Sequence, residues 1–236
     1  MKSKKKQWTL LLVAALSALL VLGGCGQKNQ NDADGNGHPV QEQEQSQGQN
    51  EEQDQGKTMS WDHPPEMKID PKKQYTALVQ TSKGDFTIEL FADEAPITVN
   101  NFVFLAREGY YDGIVFHRIM ETFMIQGGDP LGNGRGGPGY TIQDELDTTR
   151  KYEPGIVAMA KTPKPNSAGS QFFIGTGADI DVLNSMPDYP IFGKVTEGMD
   201  VVKDIAATPT DWDPSGREQS VPKEKVTIKT IEITEK

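Results

Sequence analysis

The run FHRIMETFMIQGGD, Phe116 to Asp129, places an arginine, Arg118, among Phe116, Ile119, Phe123, Met124 and Ile125, with His117 beside it. A guanidinium stays protonated at any working pH and presents a rigid planar fork of donors. In an apolar setting it can therefore hold an acceptor, or favour a lone pair that exists only during a reaction. The plain alternative is a salt bridge from Arg118 to one of the chain's 34 acidic side chains, with Phe123 and Met124 as ordinary core.

Subtraction narrows the remaining chemistry. After residue 70 the chain has one histidine, His117, and no cysteine, which excludes zinc sites built from His and Cys in that stretch. No G-x-S-x-G elbow surrounds Ser167, Ser170 or Ser185, and a Ser/His/Asp triad would have to draw on His117 from within a β-rich apolar run. GNGRGG, Gly132 to Gly137, fits the G-x-G-x-x-G pattern, but PGYTIQDE follows it, with a proline and no amphipathic helix to receive a pyrophosphate. Those glycines suit a turn-rich loop with unusual backbone angles or the close approach of another segment. MAKTPKPNSAGSQFFIGTG, Met159 to Gly177, joins a polar loop to a strand carrying Phe172 and Phe173. Neighbours in a strand face opposite sides, so one of the two belongs to a core and the other points elsewhere.

The elements that must position these residues are short. Tyr75 to Phe91 divides at SKGD, Ser82 to Asp85, with Phe86, Ile88 and Leu90 alternating after it, which predicts a hairpin. Pro96 at a helix start, apolar residues at Ile97, Val99, Phe102, Val103 and Ala106, and Gly109 as a stop predict one helix over Pro96 to Glu108. Short β-rich runs follow at Val115 to Ile119, Met124 to Gln126, Ile156 to Ala160, Gln171 to Ile174 and Ile191 to Val195, then a second helix at Met199 to Ala206. The last run, KVTIKTIEI, puts Val226 and Ile228 on one face and Ile231 and Ile233 on the other, which places a bulge between them. Many short strands with Gly-rich turns and two helices predict a closed antiparallel barrel or a sandwich, and periodicity does not choose between them.

The first quarter of the chain has another character. Lys2, Lys4, Lys5 and Lys6 precede an apolar run of fifteen residues, Trp8 to Leu22, short for a membrane span but the size of an export-signal core. LGGC ends it at Cys25, the only cysteine, so no internal disulfide can form. This segment resembles a bacterial lipoprotein signal, which implies diacylglycerol on Cys25 and removal of residues 1–24. An ordinary signal peptide cut nearby and an uncleaved anchor helix are the alternatives. Residues 25–66, rich in Gln, Glu, Asn, Asp and Gly, read as a disordered tether, and residues 67–236 as one globular domain. About 35 flexible residues reach roughly 30 Å. Loss of the four lysines with the signal moves the formal charge from −10 to −14, which argues against nucleic acid and against electrostatic docking on anionic lipid.

Taken together, FHRIMETFMIQGGD, GNGRGGPGYTIQDE, AGSQFFIGTG and YPIFGKVTEGMDVV resemble, in order and from about Tyr75 to Ile233, the cyclophilin-type peptidyl-prolyl cis-trans isomerases. The resemblance implies a mainly β fold, a closed eight-stranded antiparallel β-barrel capped by two α-helices, with a peptide groove on its outside. It implies Arg118 as the catalytic arginine and Phe123, Met124, Phe173 and Leu183 as the proline-pocket floor. Gln126 would hold the substrate backbone, and Ala160 and the backbone of Lys161 would line the extended peptide. The Gly132 to Gly137 loop would form the far wall, with His117 beneath the site. Val182 stands where many members have tryptophan and Tyr189, beside the groove, where many have histidine; the former implies weakened cyclosporin binding. With the lipobox, the chain resembles the surface lipoprotein forms of bacteria. A monomer is expected, working without cofactor or metal on proline-containing, newly exported polypeptides at the outer membrane face. A non-catalytic chaperone or adhesion module for Pro-containing segments, and a tethered envelope scaffold, are the competing functions.

Overall fold

The structure is a computed structural model that describes residues 59–236; the expected signal, Cys25 and most of the expected tether lie outside the described residues. β1 (Tyr75–Thr81) and β2 (Gly84–Leu90) form the predicted hairpin around Ser82 and Lys83. Alternation does the sorting, since Ala77 and Val79 on one strand and Phe86 and Ile88 on the other are fully buried on one face.

α1 (Pro96–Arg107) begins where Pro96 was expected to start it. Its N-terminal residue Ala95 offers no side-chain cap, and a distant carboxylate does the work instead: Glu145 accepts from the Ile97 and Thr98 amides at 3.0 and 2.8 Å. β3 (Arg118–Met120), β4 (Met124–Gly127), β5 (Ile156–Met159), β6 (Phe172–Gly175) and β7 (Ile191–Glu197) follow, with a 3-10 helix at Ala178–Ser185 between the last two. Then come α2 (Met199–Ala206), the hairpin β8 (Thr210–Trp212) and β9 (Gln219–Pro222), and β10 (Ile228–Glu235). The 3-10 helix and the β8–β9 hairpin carry no clean hydrophobic period and were not expected from the sequence.

Eight strands form one antiparallel sheet in the order β10-β1-β2-β7-β5-β6-β4-β3. The sheet is curled but open, which corrects the expectation of a closed barrel. Closure needs a continuous ladder between the first and last strands. Here β10 and β3 are edges, joined ahead of β3 by a single bridge, Val115 to Thr227, with the Phe116 amide donating to Val226 at 2.9 Å. The three residues of β3 lie against β9 of the separate hairpin. The register of β10 against β1 slips between Thr230 and Ile228, which is the bulge read from the sequence.

The concave face encloses the main core. Phe102 sits 5.1–5.6 Å, ring centre to ring centre, from Tyr111, Phe172 and Phe192, and such contacts add specificity to area burial. On the convex face a smaller apolar cluster, including Phe91, Met124, Tyr152, Ala158, Phe173, Ile180 and Ile191, carries Phe123, Ala160, Leu183 and Tyr189 at its surface. Residues 59–66, placed by composition at the end of the tether, are packed on the domain rather than free of it. Trp61 lies 5.1 Å from Phe104 and 5.9 Å from Tyr110, its amide donates to Pro138 at 2.8 Å, and Asn100 donates to the Glu66 carbonyl at 3.0 Å.

Candidate active site

Strand register builds the site. Arg118 pairs with Gln126, Gln126 with Phe173, Phe173 with Ala158 and Ala158 with Ile191, giving one row across β3, β4, β6, β5 and β7 on the convex face. The next row, Ile119, Ile125, Ile174 and Val157, points inward and is fully buried. Period-two alternation thus answers how an arginine fits an apolar run: Ile119 and Ile125 take the core while Arg118, Met124 and Gln126 take the opposite face. It also separates the two phenylalanines, with Phe172 in the main core and Phe173 under the outer cleft.

A cavity of about 350 Å³ lies over this row, lined by Arg118, Phe123, Met124, Gln126, Ala160, Lys161, Phe173, Leu183 and Tyr189. The sequence reading named each of these. Leu183 enters from the 3-10 helix, and Tyr189 meets Phe173 edge-on with ring centres 5.4 Å apart. The loop bearing Tyr189 is clipped down by Tyr152, whose hydroxyl donates to the Tyr189 carbonyl at 2.7 Å and accepts from its amide at 3.0 Å. Val182 is 64 % exposed and lies outside the cavity lining. His117 also lies outside it, and its Nδ1 is buried without a partner among the described residues. Burial pushes the His117 imidazole down, and Arg118 acts the same way against the opposing pull of Asp129.

Lys161 lines the cavity, and its side chain has a separate part. Its side chain, 1 % exposed, turns inward to pair with Asp144 at 3.3 Å and Asp188 at 2.9 Å, so the ammonium ties two loops together across the cleft's rim. Lys161 and Ala160 also belong to a neighbouring cavity of about 450 Å³, walled by Gly134, Arg135, Gly136 and Gly137, where the far wall was expected. That wall is built on Asp129, a buried carboxylate that accepts from the amides of Leu131, Asn133 and Arg135 at 2.8, 3.0 and 3.1 Å. Burial works against its ionisation, but backbone amides, those of Leu131 and Asn133 foremost, prevail and hold it below the usual carboxylate range. Gly136 presses on the same carboxylate, where a Cβ would overlap Asp129 Oδ1.

The salt bridge weighed as the plain alternative for Arg118 is present, and its partner is one the sequence did not name. Glu218, a hundred residues on, accepts from Nε at 2.6 Å and from Nη2 at 2.7 Å. Nη1 is left on the cavity side, 3.3 Å from Gln126 Oε1 and 3.8 Å from Met124 Sδ. From there hydrogen bonds run along the floor: Gln126 Nε2 donates to Gln171 Oε1 at 3.0 Å, and Gln171 Nε2 to the Gly136 carbonyl at 2.9 Å. Bonds from Arg118 hold the Glu218 carboxyl below its ordinary range, burial opposing them. No local signal marked Glu218, because nothing within its own segment distinguishes it from the chain's other acids. Among the described residues no three of His, Cys, Asp and Glu converge as metal ligands. No helix among them is long and apolar enough to cross a membrane.

An open antiparallel sheet is thus curled around an aromatic core, with a cationic donor beside an outer pocket on its convex face. The sequence model of the cyclophilin type peptidyl-prolyl cis-trans isomerases matches residues 76–233, and the chain belongs to that family. It is 40 % identical over 163 residues to peptidyl-prolyl cis-trans isomerase B of Escherichia coli, spanning 66 % of this chain and 97 % of that one. With a probable peptidyl-prolyl cis-trans isomerase A of Mycobacterium bovis it shares 41 % identity over 182 residues, 70 % of this chain and 94 % of the other. Among solved structures it is similar to a cyclophilin type isomerase of Cryptosporidium parvum, with TM-score 0.61, 34 % identity, and 68 % and 98 % of the two chains covered. That protein was also solved in the presence of the dipeptide Ala-Pro. The chain is a peptidyl-prolyl cis-trans isomerase of the cyclophilin type.

Proposed function

We propose that Arg118 drives the rotation, that the pocket of Phe123, Met124, Phe173 and Leu183 holds the proline ring, and that the enzyme works on exported chains from a lipid anchor at Cys25. The observation that carries the site assignment is the Nη1 edge of Arg118, which Glu218 does not take and which reaches Gln126 at 3.3 Å, beside a pocket of about 350 Å³ that Phe123, Met124, Phe173 and Leu183 help to line.

Rotation about X-Pro is slow because amide resonance must be broken, at about 18–20 kcal/mol. In the twisted state the prolyl nitrogen pyramidalises and regains a lone pair that neither planar isomer has. A donor fixed toward that position favours the twisted state over both planar ones. Phe173 and Met124 grip a ring that lacks an N–H, while the carbonyl before it swings. Gln126, Ala160, Tyr189 and the Lys161 backbone hold the flanking chain. A rate gain on the order of 10⁵ requires about 7 kcal/mol. One charge-assisted bond supplies about 1.5–3 kcal/mol, and positioning with exclusion of water supplies the remainder.

The anchor reading is supported by the basic start, the apolar run and LGGC ending at Cys25. Proline-containing segments of newly exported proteins are then the substrates, and no nucleic acid, cofactor or second subunit is required. Cyclosporin binding is weak in this reading, because Val182 offers little surface where a tryptophan would stand.

A proline-peptide isomerisation assay tests the assignment. Arg118→Ala should lower kcat/KM about 10- to 150-fold, the equivalent of that single charge-assisted bond. Arg118→Lys should lose most activity too, since a point charge does not reproduce the fork. Wild-type rates in both variants would remove Arg118 from the mechanism.

A further inference from the structure

Glu218 takes two of the three nitrogens of Arg118, and the rest of its surroundings hold it for that task. Ser220, itself buried, donates its hydroxyl to Oε1 of Glu218 at 2.8 Å. The backbone on which Glu218 rides is fixed by the turn between β8 and β9. Asp213 accepts from the amides of Arg217 and Glu218 at 2.7 and 3.1 Å, and its own amide donates to the Glu218 carbonyl at 2.8 Å. The hairpin lies against β3, the edge strand from which Arg118 projects. A chain of directed contacts therefore runs from the Asp213 turn through Glu218 and Arg118 to Gln126, Gln171 and the Gly136 wall.

We propose that Glu218 is a positioning residue for isomerisation, fixing the plane and rotamer of Arg118 so that Nη1 faces the proline pocket before a substrate arrives. Arginine is long and flexible, and a guanidinium left to itself would have to be ordered each time a peptide bond twisted beneath it. The two-point bond to Glu218 moves that loss of freedom from turnover to folding. A carboxylate so close also offsets part of the guanidinium's charge, which would weaken its pull on the prolyl nitrogen. Orientation wins, because both partners are about a third exposed and water screens their mutual field, whereas it leaves the geometry of the fork intact.

The inference rests on the assignment of Arg118 as the donor, and a double-mutant cycle separates the two. Exchange NMR on an X-Pro peptide would be run with the full-length chain in detergent, for wild type, Glu218→Ala, Arg118→Ala and the double variant. Glu218→Ala is expected to lower kcat about 10-fold with KM within twofold, and to change nothing in the Arg118→Ala background. Glu218→Gln should resemble Glu218→Ala, because an amide NH₂ turned toward Arg118 breaks the fork. Unchanged kcat in Glu218→Ala alongside an impaired Arg118→Ala overturns the positioning role and leaves Arg118 in place. An equal loss in both backgrounds overturns it as well, since a brace of the pocket does not act through Arg118. Full activity of Arg118→Ala defeats the underlying assignment itself.

Discussion

At the scale of single residues, a permanently charged group, Arg118, stands next in the chain to an imidazole, His117, whose protonation burial disfavours. Arg118 needs no proton exchange to work, so the rate per folded enzyme should be flat between about pH 6 and 9, and a bell-shaped profile would point to an acid or base that the scheme lacks. Stability should behave differently. Burial lowers the His117 pKa below its ordinary 6.5, so the unfolded chain binds the proton more readily than the folded one. That contribution is complete above pH 6.5 and is lost as the pH falls below it toward the folded value. The urea midpoint of wild type should therefore drop between pH 7.5 and 5.5 by more than that of His117→Gln. Equal drops would show that the imidazole is not the group responsible.

Two elements outside the sheet matter beside it, one for the groove and one for the fold. The loop at 129–137 is folded around a buried carboxylate, and Gly136 leaves no room for a side chain beside it. Gly136→Ala should destabilise the domain by about 1–3 kcal/mol through overpacking. It should also raise KM for longer peptides more than it lowers kcat, because the wall shifts while Arg118 stays; an unaltered KM would contradict the wall's part in binding. The second element is the strap at 59–74, which lies outside the residues that match the family. Trp61 fills a slot between Phe104 and Tyr110 and bonds the carbonyl of Pro138, whose neighbour Gly139 leaves no space for a Cβ against Ser60 and Trp61. Trp61→Ala should cost about 1–3 kcal/mol of stability, less than a fully buried tryptophan would, as read from urea unfolding. No change would mean that the strap is dispensable to the fold.

For the whole molecule, the proposed attachment and the catalysis should be separable. Two or more acyl chains on Cys25 would give stable anchoring, where one is marginal. Cys25→Ser should move the protein from the membrane fraction to the soluble fraction while kcat/KM on a free peptide stays the same. Mass spectrometry of the mature N-terminus checks the lipid directly. A protein that remains with membranes after Cys25→Ser would be held by another means.

The amino-acid sequence by itself determined what depends on local pattern. Alternating apolar residues marked the strands, Pro96 and Gly109 bounded α1, and the slip between Ile228 and Ile231 announced the bulge, because backbone period and steric preference act over a few residues. Six of the nine residues around the pocket lie within the separated motifs that resemble one family; Ala160, Lys161 and Leu183 lie between those motifs and were placed by the resemblance as a whole. Tertiary structure alone decided which groups meet. It left the sheet open, since β3 is too short for a ladder with β10 and lies against the β8–β9 hairpin instead. It turned Lys161 inward between two aspartates and brought Glu218 onto Arg118. Those pairings join residues far apart in the chain, and their stability arises from register and loop packing that no short stretch encodes.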